Sequence, residues 1–150
     1  TAEVERAVHM ANELLDSANP PRAILFETAL HGELLNLDEE DNKRHYAGGM
    51  SANRINAGLG SIIAQVLEHC GQDRIAGLYT TGGDTMVNVC YQLGAQCIEL
   101  LDYVIPQTDI GRLVGSYDGL PVVGKGGLTG NDHTACDIVD RLFREATRKN

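Results

Sequence analysis

Two short stretches of this 150-residue chain carry residue types suited to anion chemistry. One is Thr80-Thr81-Gly82-Gly83-Asp84-Thr85, the other Gly124-Lys125-Gly126-Gly127-Leu128-Thr129-Gly130. Glycine lets a backbone adopt positive φ and come close to a ligand. Unpaired N–H groups at a helix start carry a partial positive charge, and phosphate is the ligand that suits them best. In the first stretch, Gly82 and Gly83 would supply backbone donors, and Thr81 and Thr85 would add hydroxyls. Asp84 has two readings: an N-cap for the helix that follows, or a contact to Mg²⁺ or its water shell. Lys125, framed by Gly124, Gly126 and Gly127, reads as an ammonium that meets phosphate. The plainer alternative is an exposed lysine in a tight turn.

Other chemistries find no support. Gly119–Lys125 fits the first seven positions of the G-x-x-x-x-G-K-[ST] phosphate loop, but Gly126 stands where the Mg²⁺-binding hydroxyl belongs. Leu120-Pro121-Val122-Val123 between its glycines reads as strand, not as a cradle. No G-x-G-x-x-G opens a helix, and the protein-kinase motifs are absent. The histidines are scattered outside ligand spacings, so no metal site is expected. His133, beside the second loop, reads as a first-turn helix residue. No catalytic constellation is complete, and the catalytic residues stay unassigned. Cys70, Cys90, Cys97 and Cys136 form no C-x-x-C pair and read as buried free thiols in a reducing compartment.

The elements that must position these loops follow from periodicity. Ala2–Ala18 is an amphipathic helix stopped by Pro20-Pro21, and Ala23–Phe26 reads as a short buried strand. His31–Gly49, with the acidic run Asp38–Asp41, reads mostly as a solvated loop in which a short helix can hide. Ser51 caps a second helix to about Cys70. Gly58 and Gly60 within it point to close packing, and Gly71 suits its C-cap. Arg74–Thr80 is a strand leading into the first glycine loop, and Met86–Leu93 the helix after it. Cys97–Leu101 and Tyr103–Ile105 read as strands. Pro106–Gly119 is turn-rich, with a short strand at Arg112–Val114. Leu120–Gly124 is a buried strand leading into the second loop, and Asn131 or Asp132 caps a C-terminal helix. The alternation predicts a single α/β layered domain with a mostly parallel or mixed sheet flanked by helices.

Composition bounds the partners. At 43% hydrophobic residues the chain is globular; with 5% aromatics and no Trp its core must be aliphatic. A net charge of −9 argues against nucleic acid, which requires a basic face, but not against a mononucleotide. No run of about 18 apolar residues suggests a membrane span, and no signal segment opens the chain, so a cytoplasmic location is expected. A first residue of Thr suggests a processed chain or part of a longer one.

The block Ile75–Thr85 and the block Gly119–Gly127, continued by Leu128-Thr129-Gly130-Asn131-Asp132, resemble in order and spacing the C-terminal nucleotide-binding domain of the four-carbon acid sugar kinases. The helix with Ala52-Asn53-Arg54-Ile55-Asn56 is similar to the one before the first block there, so the likeness covers roughly residues 50–145. It implies two α/β domains: an N-terminal one that binds the acid sugar, and a C-terminal one that binds ATP. The reaction implied is transfer of the γ-phosphoryl group to a terminal hydroxyl of threonate, erythronate or an oxo-tetronate. Gly82, Gly83, Asp84, Thr85, Gly126 and Gly127 would bind nucleotide. The family often has an aromatic residue and then Gly where Leu128-Thr129-Gly130 stands, and its N-terminal Asp-rich motif has no counterpart in this chain. The chain thus resembles the nucleotide half of a kinase, with ATP and Mg²⁺ as cofactors and the acid sugar reached through an N-terminal domain absent from this sequence. A homo-oligomer is compatible with this. The competing expectations are an anion-binding regulatory module without kinase activity, and a structural domain whose glycines only make turns.

Overall fold

The computed structural model describes residues 1–148. In chain order the elements are α1 (Ala2–Asp16), α2 (Leu37–Lys43), α3 (Met50–Cys70), β1 (Leu78–Thr81), α4 (Gly83–Gln92), β2 (Ala95–Ile105), β3 (Thr108–Gly115), β4 (Pro121–Lys125) and α5 (Thr134–Thr147). The strands form one sheet in the order β1-β4-β3-β2. β1 runs parallel to β4, and the other two pairings are antiparallel, so the expected α/β layered domain takes its mixed form.

Helices cover both faces. On one face Ala11 of α1, Ile62, Val66 and Leu67 of α3, and Val89 of α4 pack with Leu113 and Val122 of the sheet. On the other, Ile138 and Leu142 of α5 meet Ile110 and Val123. The core is aliphatic, as the scarcity of aromatics requires. Gly60 lets α3 approach α4 closely: a Cβ there would stand 2.8 Å from the Asn88 carbonyl oxygen. The prediction of close packing therefore holds at Gly60 but not at Gly58, where a Cβ would make an ordinary 3.8 Å contact with Val4 of α1.

Several boundaries differ from the sequence reading, each for a physical reason. Ala23–Phe26 is not a strand. Ile24 and Phe26 rest on the helical side of the core while Leu25 points out, and no ladder partner joins them. The first strand begins at Leu78, not Arg74, because Gly71 closes α3 with φ +77 and Gln72–Arg74 continues as a 3₁₀ turn. Cys97–Leu101 and Tyr103–Ile105 belong to one strand, β2. Much of the turn-rich stretch Pro106–Gly119 is β3. Its Gly111 hid the strand pattern, yet a Cβ there would stand 2.6 Å from the Glu99 carbonyl oxygen on the neighbouring strand. β2 is an outer strand with Leu100, Leu101 and Tyr103 exposed, and its pairing with β3 slips at three places.

The acidic run also holds a correction. It forms α2, and Asp41 is buried, with 3% of its surface exposed. Its carboxylate accepts the backbone N–H groups of Gly49 and Ser51, each at 2.7 Å. Asp41 therefore caps α3 from outside the helix. Gly49 is the N-cap residue, and Ser51, expected to cap, is itself a donor to Asp41. The Ser51 hydroxyl first, and then the backbone N–H groups, hold the Asp41 carboxyl below its ordinary range against the opposing effect of burial. All four cysteines are free, but only Cys70 is buried. Cys97 on the outer strand and Cys136 on the outer face of α5 are exposed.

Candidate functional site

The parallel pairing of β1 and β4 fixes the site. Thr80 lies opposite Gly124, and Thr81 opposite Lys125, so both strands end side by side. Each then turns through glycine toward a helix on an opposite face of the sheet: α4 after β1, α5 after β4. The Gly82 N–H donates to the Lys125 carbonyl oxygen at 3.0 Å and ties the two loops together. In open α/β sheets this carboxyl-end rim is where ligands bind.

Residues of the first loop differ in what they offer. Thr80 is buried, and its hydroxyl donates to the Val123 carbonyl at 3.3 Å, so it belongs to the strand. Burial holds the proton of the Tyr79 phenol more firmly than usual, and Thr81, two residues along the strand, partly opposes this. Gly82 is the N-cap residue of α4, with φ +91, a conformation side chains rarely adopt. Asp84 is therefore not the N-cap. It sits exposed in the first helical turn, and its carboxylate makes no cap bond. The N–H groups of Gly83, Asp84 and Thr85 precede the first helical bond, from Met86 N–H to the Gly82 oxygen, and have no protein acceptor among the described residues. A Cβ added at Gly83 meets nothing within 4 Å.

The second loop is organised by its lysine. Lys125 Nζ donates to the carbonyl oxygens of Gly126 at 2.6 Å, Thr129 at 2.8 Å and Gly127 at 3.5 Å. It is neither free nor simply exposed: it holds the turn from inside. The Thr129 hydroxyl adds a bond to Gly126 O at 3.0 Å. The Gly126 N–H is engaged with Gln107 O, at 3.0 Å, in the β2–β3 hairpin. Gly127, by contrast, has open space where a Cβ would stand. Asn131 and Asp132 are not the N-cap of α5; His133 is. Asn131 still serves that end, since its Oδ1 accepts the His133 N–H at 2.9 Å.

Sequence reasoning missed three residues around these loops. Asn56 of α3 accepts the Thr85 hydroxyl at 2.9 Å. Gln107 takes a positive φ of 62° to present its carbonyl to Gly126. The Met86 thioether packs on Gly124 where a Cβ would stand, so a side chain there would displace it. Only the glycine at 124 gave a signal in the sequence. Among the described residues no group of three or more His, Cys, Asp or Glu side chains could hold a metal. No described helix is long and apolar enough to cross a membrane. Two surface recesses lie elsewhere: one of about 190 Å³ between α2 and α3, and one of about 500 Å³ lined by Arg22, Asp140, Phe143, Arg144 and Thr147. The glycine loops form an open rim instead.

A mixed sheet with two glycine turns joined at its carboxyl edge defines an α/β layered domain. Comparison with known proteins places it further. Residues 1–135 match the family described as the nucleotide-binding C-terminal domain. The chain is 34% identical over 149 residues to D-erythronate kinase of Heliobacterium modesticaldum, covering 98% of this chain and 33% of that protein. It is 39% identical over 87 residues to D-threonate kinase of Salmonella typhimurium, covering 57% of this chain and 20% of that one. A crystal structure from Bordetella bronchiseptica, described as a domain of unknown function with bound citrate and a domain-swapped dimer, matches with a TM-score of 0.57 and 32% identity. The match covers 67% of this chain and 25% of that one. The chain therefore belongs to the nucleotide-binding C-terminal domain family, in the form that four-carbon acid sugar kinases carry. It spans about a third of the length of its erythronate kinase relative.

Proposed function

We propose that this domain holds the phosphates of ATP within a longer kinase that phosphorylates the terminal hydroxyl of a four-carbon acid sugar. The observation that carries this reading is the Gly82–Lys125 bond between the ends of two parallel strands. It brings the free N–H groups of α4 and the open face of Gly127 to one rim. The backbone donors of Gly83, Asp84 and Thr85 would meet phosphate oxygens, and Gly127 would let the second loop come close to them. Thr81 stands at the end of β1 beside this rim. Lys125 and Gly126 shape the second loop, and Lys125 adds the positive charge.

Asp84 would repel a bare phosphate at a helix N-terminus. It becomes favourable once a cation lies between them. Mg²⁺ commonly binds through one carboxylate, substrate phosphates and water, so a single aspartate fits the donor set that a nucleotide brings. The ion would neutralise phosphate charge there. Phosphoryl transfer depends mainly on positioning and charge stabilisation, and little covalent work falls to the protein. The open rim suits this division: this domain fixes the donor, and an acid-sugar domain would present the hydroxyl and exclude water on closing.

Calorimetric titration of the intact protein with ADP and Mg²⁺ tests the reading. Binding is expected, with Gly83→Val abolishing it while leaving the fold intact, because the valine would fill space that only a ligand occupies. No heat at millimolar nucleotide, from a folded protein, would overturn the reading. ATP consumption that requires threonate, erythronate or an oxo-tetronate would support the acceptor class, and ATP consumption indifferent to them would remove it.

A further inference from the structure

The Thr85 hydroxyl sits at the mouth of the first glycine loop, 3.7 Å from where a Gly82 Cβ would stand. It donates its one proton to Asn56 Oδ1 at 2.9 Å. A hydroxyl has a single proton and two lone pairs, whereas an ionised phosphate oxygen only accepts. Thr85 therefore cannot donate to Asn56 and to a phosphate at once. Asn56 can resolve the conflict, because its side chain carries an acceptor and a donor on one planar amide. Turning that amide over would present Nδ2–H to a Thr85 lone pair and release the Thr85 proton toward the ligand. In the ligand-free domain, Nδ2 donates to no protein acceptor among the described residues, so the turn breaks no other protein hydrogen bond.

The position of Asn56 is firmly set. One turn further along α3, Gly60 lies against Asn88 of α4, and Asn88 Nδ2 in turn donates to Asp84 O at 2.9 Å. The start of α3 is held by Asp41. Asn56 thus reaches Thr85 from a helix fixed at its first turn and at its contact with α4. We infer that Asn56 is a positioning residue for phosphate binding, an amide that accepts from Thr85 in the free domain and donates to it when the nucleotide is bound. This inference rests on the nucleotide reading above and goes beyond it by naming a residue outside both loops.

The test is ADP titration of the intact protein with Mg²⁺, for wild type, Asn56→Ala, Thr85→Val and the double variant, with ligand-free melting temperatures as the control for folding. Asn56→Ala should weaken ADP binding about tenfold in the wild-type background and less than about twofold when Thr85 is already Val. Thr85→Ser, which keeps the hydroxyl, should retain the full dependence on Asn56. In ¹⁵N NMR spectra the Asn56 side-chain NH₂ signals should move and become protected from solvent exchange when ADP binds. Equal losses from Asn56→Ala in both backgrounds, or no loss in either, would overturn the inference while leaving the nucleotide reading intact. An Asn56 NH₂ signal indifferent to saturating ADP would do the same. A folded wild type that fails to bind ADP would overturn both.

Discussion

Lys125 presents its ammonium to three carbonyl oxygens of its own loop, at 2.6, 2.8 and 3.5 Å. In the free domain it acts as an internal cation that gives Gly126–Thr129 its shape. Lys125→Met should leave β4 in place and loosen the turn. Losing hydrogen bonds to a charged group costs about 1.5–3 kcal/mol locally, so exchange of the Gly126 and Thr129 amides, which donate to Gln107 O and Gly126 O, should rise about tenfold or more. Hydrogen-exchange NMR or mass spectrometry reads this directly. The spacing of lysine among glycines marked the loop in the sequence but could not show which way the ammonium turns. An ammonium has three donors and a flexible stem, and nearby carbonyls compete with any ligand for it. Asp41 shows the opposite difficulty. In a run of four acidic residues nothing in composition separates the one that caps a helix from those that face water. Asn56 was legible only as part of a helix, because its partner lies 29 positions away.

At the level of elements, the strand–glycine–helix order was readable for both loops, since burial and glycine are local signals. The pairing of β1 with β4 was not, because 40 or more residues intervene and ladder partners leave no local mark. β3 was mostly missed because Gly111 interrupts its apolar pattern, and β1 was begun too early because the turn Gln72–Arg74 left no mark. Gly77, read as part of that strand, lies just before it, where a Cβ would stand 2.6 Å from Pro121 O, so it marks a close backbone approach. α2 was hidden because its 7 residues are almost wholly polar. Its role is to deliver Asp41 to α3, and a pH dependence follows. The Asp41 carboxyl titrates below its ordinary range in the folded chain. Its contribution is therefore complete above the ordinary carboxylate range and is lost as pH falls through the lowered value. Asp41→Asn should lower the melting temperature at neutral pH and flatten its fall under acid, because the titrating group is gone. Thermal melts of both proteins between pH 7 and pH 3 measure the difference.

For the whole molecule, charge is the dominant constraint. A chain of net charge −9 repels a nucleotide before any contact forms. The backbone donors of the rim act only at short range, and Asp84 adds local repulsion. Divalent cation should therefore matter more here than in a basic nucleotide site. Removing Mg²⁺ with chelator at constant ionic strength should weaken ATP binding about tenfold or more, and Asp84→Asn should reduce that dependence. Calorimetry with and without Mg²⁺ checks both. The same molecule presents its glycine rim openly, and it spans about a third of its erythronate kinase relative.

The outer strand β2 has a consequence for behaviour in solution. A long free edge with Leu100, Leu101 and Tyr103 exposed is a template on which further strands can grow. This edge carries its own gatekeepers. Glu99 and Asp102 interrupt its apolar residues, and the slips in its pairing with β3 spoil the flat register that stacking needs. Two such edges from separate molecules would set their Glu99 carboxylates and mismatched pleats against each other, which disfavours edge-to-edge growth along this strand.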